Sequence, residues 1–470
     1  MKYLIFLFSI LTGITAFTQE TKPRVIVLTD GEVDDQSSMI RFLLYANEFN
    51  IEAIIETNSV YQRIGHSKED WLEKQLDAYE KDYTNLIRHD PNYPTAALLR
   101  SKCFVGDEDS THIVVDRNSP KRIPGIKPQI DPADWANTPG SDRIVEVLLN
   151  PDPGTVYIQA WGGGNTALRA FDKLKKEYPS QYEKAIGKVV MYNIWYQDGA
   201  GNYIETFHPN VTMLISYHFS GTWDYGSQNN STAFVTDKLI NGKGHLGKLY
   251  PQTYISEGDS PSFFYTIPNG LRSYENPAYG GWGGIFYKLN GFKNVYRDAN
   301  KGSYTRWVDH VNSDYEARLK WCEASDYEAA NHKPLVSIKN GLDITVKSGE
   351  TVVLEAEYND PDPLNIDDLW EKYGAIYQQH GGTKATFAEM AVKNFPKTKA
   401  HWWQFEEAGS YKGFVQLLQT EEPKLTFVAP KVSVPSSIHI VLEVSDTGQP
   451  KLTTYKRIII TVLPNNKKSK

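Results

Sequence analysis

RVIVLTDGEVDDQ, residues 24–36, sets three carboxylates at the mouth of an expected strand. Arg24–Leu28 is a short β-branched apolar run, the pattern of a strand buried on both faces of a parallel sheet. It ends in Thr29-Asp30, turns at Gly31 and reaches Asp34-Asp35 just ahead of an apolar-periodic segment, Met39–Tyr45. In an α/β protein a strand feeding a helix puts that turn at the carboxyl edge of the sheet, where ligands bind. Asp30 and Asp35 suit one hard cation, since calcium takes roughly six to eight oxygen ligands at flexible geometry. Carboxylates this close repel one another unless a cation or substrate hydroxyls share their charge. The competing reading has Asp34 cap the helix and Asp35 occupy its first turn, where negative charge suits the dipole. That reading leaves Asp30 unexplained. Spacing alone keeps both open.

Outward from this stretch the chain alternates strand and helix. Helix Gln36–Glu48 leads to strand Glu52–Thr57, and a helix of mixed charge covers about Lys68–Arg88. Asp90–Gly140, rich in Pro, Asp and Asn, reads as an ordered excursion. The alternation resumes with helix Ser141–Leu149, strand Thr155–Gln159, helix Asn165–Glu177 and strand Lys188–Ile194. Apolar segments Val211–Tyr217 and Thr232–Ile240 extend it, and a helix over Ser313–Tyr327 closes it. The expected fold is an open, mostly parallel sheet with helices on both faces, over residues 20–332.

Composition shifts near Ala330–Pro334. Short alternating segments follow at Leu335–Ile338, Asp343–Val346, Thr351–Glu357, Leu425–Val428, Ile438–Val444 and Arg457–Leu463, which argue a β-sandwich over 333–464. One insertion, Asp367–Gly413, interrupts them, and 465–470 is a polar tail. Met1 to about Gln19 has the Lys, the apolar run and the small polar end of a secretory signal peptide. An exported protein without a membrane span is the expectation. Net charge is −7 with both signs mixed along the chain, and no basic stripe points to nucleic acid. Eleven Trp, 29 Tyr and a mean hydropathy of −0.48 suit polar ligands with apolar faces, such as sugars. Cys103 and Cys322 either pair or stay as buried thiols.

Two further turns stand at expected strand ends. Trp161-Gly162-Gly163-Gly164-Asn165-Thr166 opens a helix, with Asn165 as its simplest N-cap. Glu257-Gly258-Asp259-Ser260-Pro261-Ser262 reads the same way, with Asp259 as cap before Pro261. Four glycines flank Trp282, leaving its ring free to meet a flat ligand or to plug an interface. His66, His112, His208 and His218 lack zinc-ligand spacing, and His208-Pro209 reads as a solvated loop. Asn359-Asp360-Pro361-Asp362 has the look of an acidic turn that holds calcium. Alternation puts Trp402 and Trp403 on opposite faces, one of them in the sandwich core.

Thr29-Asp30-x-x-x-Asp34-Asp35 resembles the N-terminal signature of inosine-uridine nucleoside hydrolases. DDQSSMIRFLLYANEFNIEAIIETNS, YPTAALLRSKCFVG, EGDSPSFFYTIPNGL, YGGWGGIFY and WWQFEEAGSYKG resemble a secreted, nucleoside hydrolase-like branch described as cellulose-binding, with an Ig-like sandwich at its end. The resemblance implies calcium held by Asp30, Asp35, Asp259 and the Asn165 carbonyl, with Asp30 as the base that activates water. It implies sugar contacts from Asp34, Asn58, Asn202 and Glu205. A carbohydrate or glycoside ligand follows, and either hydrolysis or plain polysaccharide binding. Three positions depart from the nucleosidase pattern: Leu28 for an early Asp, Trp195-Tyr196 for small residues, and Ile285 for Arg.

Overall fold

The computed structural model describes residues 22–113, 132–152, 154–224, 238, 241, 244–251 and 256–465. The expected signal peptide, the segment Thr232–Ile240 apart from Lys238, and the tail beyond Asn465 lie outside the described residues.

β1 (Arg24–Thr29) is buried along its whole length, because its side chains serve two cores at once. Val25 and Val27 enter one apolar cluster, while Ile26 and Leu28 enter the other, as the period of two in a strand dictates. Around it runs an eight-stranded sheet in the order β3-β2-β1-β4-β5-β6-β8-β7. The flanking strands are β2 (Asn50–Glu56), β3 (Cys103–Val105), β4 (Val156–Ala160), β5 (Val189–Ile194), β6 (Thr212–Ser216), β7 (Phe286–Lys288) and β8 (Val295–Asp298). Every pairing is parallel except β7 with β8, at the edge. Strand order reverses between β1 and β4, so a crevice opens beyond their carboxyl ends.

α1 (Val33–Leu44) and α2 (Trp71–His89) cover one face with helix Val308–Trp321. Helices Pro139–Leu149, Asn165–Glu177 and Pro179–Ile186 cover the other. α1 starts three residues before the expected helix and stops at Leu44, so Asp34 lies inside the first turn and does not cap it. β3, β7 and β8 have no counterpart among the expected strands; at three or four residues each they carry too little alternation to read.

The C-terminal region is a β-sandwich. β10 (Asp343–Lys347), β15 (Thr453–Leu463), β14 (Ser436–Asp446) and β12 (Thr398–Gln404) form one sheet, and β13 (Lys424–Val428), β11 (Thr351–Asn359) and β9 (Leu335–Ile338) the other. The stretch Asp367–Gly413 is more than an insertion. It holds a helical hairpin, Ile366–Gln379 with Lys384–Asn394, and then β12. Trp402 of β12 is buried in the sandwich core, whereas Trp403 turns outward and packs on Phe405 and Trp307.

Sandwich and sheet share a core. Phe405, Val441 and Tyr455 belong to the same cluster as α1 and α2. Tyr455 N–H donates to Asn269 O (3.4 Å) and Arg457 N–H to Gly270 O (3.0 Å). Trp282 fills this junction, 1% exposed and edge-on to Tyr455 at 6.3 Å. Asp362 accepts from the N–H and ring Nδ1 of His332 in the connecting segment, so its carboxylate is spent on the connection. Both cysteines are free thiols.

Candidate functional site

The site grows from the end of β1. Gly31 takes φ +75°, and a Cβ there would lie 2.7 Å from His66 Cβ, so only glycine turns the chain here. α1 then begins behind Glu32, which makes no capping bond, and its first turn presents Asp34 and Asp35. Asp35 Oδ1 accepts from Thr29 Oγ1 (2.5 Å) and from the Asp30 N–H (3.2 Å). Asp30 Oδ1 accepts from the Glu32 N–H at 3.4 Å, while its Oδ2 is buried with no hydrogen-bond partner.

Asp259 arrives from the far side, over two hundred residues away in sequence. It stands at the N-cap of helix Ser260–Phe264, as expected, but makes no capping bond, and its Oδ2 is buried without a partner. Asp34, Asp35 and Asp259 each bring an oxygen within 4.8 Å of the others. Burial, then the charges of Asp30, Asp259 and Asp34, hold the Asp35 carboxyl well above its ordinary range. Asp259 is raised likewise by burial, then by Asp34, Asp30 and Glu32. Asp30 is also raised, chiefly by burial. Carboxylates this close, two of them with a buried oxygen left over, could hold a hard cation.

The β4 turn closes against this group. Gly162 lies so near that a Cβ would meet Asp30 Cβ at 2.7 Å. Buried Asp198 holds the turn by accepting from the N–H groups of Gly164 (2.8 Å), Asn165 (3.0 Å) and Ala200 (2.9 Å). Burial pushes its pKa up to about 6, and those three donors restrain the rise. Gly164 caps the following helix, so Asn165 is its first residue and not its cap. The Asn165 amide donates to Asn58 Oδ1 (2.7 Å), and Asn58 Nδ2 donates to Arg63 O (2.9 Å). Both side chains thus tie the β2 loop to the β4 turn.

Beyond the carboxylates lies a cleft of about 290 Å³. Asp34, Asp35 and Asp259 form its acidic side; Trp161, Trp195, Phe219 and Tyr61 give it aromatic walls. Trp195 adopts φ +40°, a left-handed conformation that costs a non-glycine residue about 1–3 kcal/mol. Its N–H donates to Ser216 O (3.0 Å), and its ring meets Phe219 edge-on at 5.5 Å. Trp161 Nε1 donates to Ser262 Oγ (2.7 Å), whose hydroxyl donates to Asp259 O (2.6 Å). The aromatic wall is therefore bonded to the segment that carries a carboxylate. A cleft with acid on one side and rings on the other accepts a hydroxylated ring with an apolar face.

Other expected site residues lie elsewhere. Asn202 is exposed on helix Ala200–Phe207, and Glu205 accepts from Tyr196 Oη at 2.5 Å; neither lines the cleft. Trp282 belongs to the junction. His208 is not a solvated loop residue: it is fully buried, bonded to Tyr182 Oη (2.7 Å) and Asp172 (3.1 Å). Sequence reading missed the wall. Trp161 heads a turn already singled out, but Phe219 and Tyr61 carry no local signal.

A family model described as cellulose-binding Sde182, nucleoside hydrolase-like domain, matches residues 24–286. The model for the C-terminal domain of cellulose-binding protein Sde0182 matches residues 395–462. A solved nucleoside hydrolase-related hypothetical protein from Saccharophagus degradans, described as associated with carbohydrate metabolism, is similar at 26% identity and a TM-score of 0.75. The match covers 94% of this chain and 100% of that one. The type III effector XopQ, solved with adenosine diphosphate ribose, matches at 8% identity and a TM-score of 0.36, over 65% of this chain and 96% of its own. No curated protein matches the chain. With its sheet, its acidic crevice and its sandwich all accounted for, the chain belongs to the cellulose-binding, nucleoside hydrolase-like family.

Proposed function

We propose that this protein is a calcium-dependent hydrolase of glycosidic or N-glycosidic bonds that works outside the cytoplasm. One observation carries the reading: Asp34, Asp35 and Asp259 converge within 4.8 Å, while Asp30 Oδ2 and Asp259 Oδ2 stay buried and unpartnered. Oxygens in that state fit a calcium ion. Asp30, Asp35, Asp259 and the Asn165 carbonyl are its proposed holders. When bound, calcium supplies positive charge that acidifies water and anchors sugar oxygens.

Asp34 accepts from a sugar hydroxyl, and the Trp195–Phe219 wall takes the apolar face of the ring. Asp30, whose carboxyl pKa is raised chiefly by burial, also removes a proton from the attacking water as general base. The water oxygen bonds to the anomeric carbon, and the bond to the leaving group breaks with its electron pair. Positive charge spread over the sugar in the transition state is stabilised by the surrounding carboxylates.

A second reading, non-catalytic binding of a cellulose-like polysaccharide, has its own support. The matching family models are described as cellulose-binding, and Trp195 puts a large ring on the cleft wall. Asn58 and Glu205, two of the four expected sugar contacts, are engaged with the protein itself. Calcium titration into chelator-stripped protein tests the first reading. Binding should be tight in wild type and lost in Asp35→Ala; heat-silent titrations of folded wild type would sink it. Asp30→Asn then separates the two. An enzyme loses turnover yet retains polysaccharide, whereas a binder is unchanged in both assays.

A further inference from the structure

α1 and the segment 257–260 meet along three rungs. The outermost is the cleft itself, where Asp34 and Asp35 face Asp259. One turn deeper, Ser260 Oγ donates to Ser38 Oγ at 3.2 Å. Two turns deeper, Arg41 meets Glu257 through two bonds, Nε to Oε2 at 2.5 Å and Nη2 to Oε1 at 3.0 Å, both side chains fully buried. Asp34, Ser38 and Arg41 recur at helical spacing on one face, so the rungs lie in line.

A buried ion pair is a poor source of stability, because the cost of desolvation offsets the attraction. Its two-pronged geometry does fix register. The outer rung needs that, since its members repel. We propose that Arg41 and Glu257 are positioning residues: their buried pair holds α1 against the Asp259 segment so that mutually repelling carboxylates stay at cation-binding distance. This rests on the calcium reading above. Arg41 is further clamped by the Tyr315 ring, 3.8 Å beneath its guanidinium, and Glu257 by Tyr250 Oη at 2.8 Å.

The test replaces the pair and its hydroxyl partner by apolar groups of similar size, Arg41→Met, Tyr250→Phe and Glu257→Leu together. The swap removes both buried charges but leaves Asn312 and Ser260 each short of one bond, so the two effects offset and the thermal midpoint in chelator is expected to stay near that of wild type. Calcium affinity, read by titration of the metal alone, should fall about 10- to 100-fold, the usual cost of losing a group that orients metal ligands. Should the triple variant fail to fold, Arg41→Lys keeps the charge and loses the fork, and a fall in calcium affinity at unchanged midpoint supports the same role. Affinity unchanged in a folded variant while wild type binds would overturn the positioning role alone. So would affinity that falls only in step with stability. Wild type that takes no calcium overturns the metal reading and this inference together.

Discussion

At the cleft, Asp34, Asp35 and Asp259 point oxygens at one another within 4.8 Å, and two carboxylate oxygens find no donor. At the junction with the sandwich, Trp307 lies over Phe405 and edge-on to Tyr455, and main-chain bonds join β15 to Asn269 and Gly270. Both regions join distant parts of the chain, the junction in the interior and the cleft at its surface. The junction gains stability chiefly by burying rings, while the cleft gives stability up to hold like charges together. Local interactions that conflict with folding mark a site of function; those that agree with it mark a site of structure.

The largest expected effect lies at the junction. Trp282→Ala should cost about 3–5 kcal/mol in urea unfolding, the range for removing a large core ring. Calcium affinity should not change, because Trp282 does not line the cleft. A joint loss would mean that the two regions are not independent.

Acid is the next way to break the contrast. Burial, then Arg457 and Arg272, lower the His439 pKa to about 3. The folded state therefore prefers neutral His439, and its contribution is whole above the unfolded value near 6.5 and lost as pH falls towards 3. At pH 5 the loss is about 2 kcal/mol, at 1.36 kcal/mol per unit. His439→Gln should flatten the fall of the thermal midpoint between pH 7 and pH 5. A variant that falls as steeply as wild type would exclude His439 as the cause.

The smallest effect has the opposite sign. Asp259→Asn removes one of the repelling buried charges and, in chelator, should stabilise the fold by on the order of 1 kcal/mol. In excess calcium the order should reverse, since only wild type gains binding energy on folding. A variant less stable than wild type in chelator would mean that the cleft is not strained by charge.

Much of the sheet is legible from residues alone. Parallel strands buried on both faces announce themselves as apolar runs, so β1, β4 and β5 fall within a residue or two of their expected positions. Asp34 and Asp35 are legible because the end of β1 opens on the crevice at the reversal of strand order. Asp259 is expected at a strand end, but among the described residues no strand leads into it, and it is the family resemblance that points to it. The failures have physical causes too. Asn202 and Glu205 follow Trp195, whose left-handed turn no sequence pattern predicts, and the helix after it directs Asn202 to solvent. Arg41 and Glu257 are 216 positions apart, and nothing near either one announces the other. β12 hides inside a supposed insertion because a helical hairpin precedes it.

The shared core also bears on how such chains diversify. A sandwich hung on a linker can be lost, duplicated or traded between genes without harm to its neighbour. Here Phe405, Val441 and Tyr455 complete the apolar interior beside α1 and α2, so a chain that lost the sandwich would bare part of the sheet's own core. A boundary drawn between the halves would therefore cut through apolar contacts on both sides, and neither half is expected to keep its solubility alone.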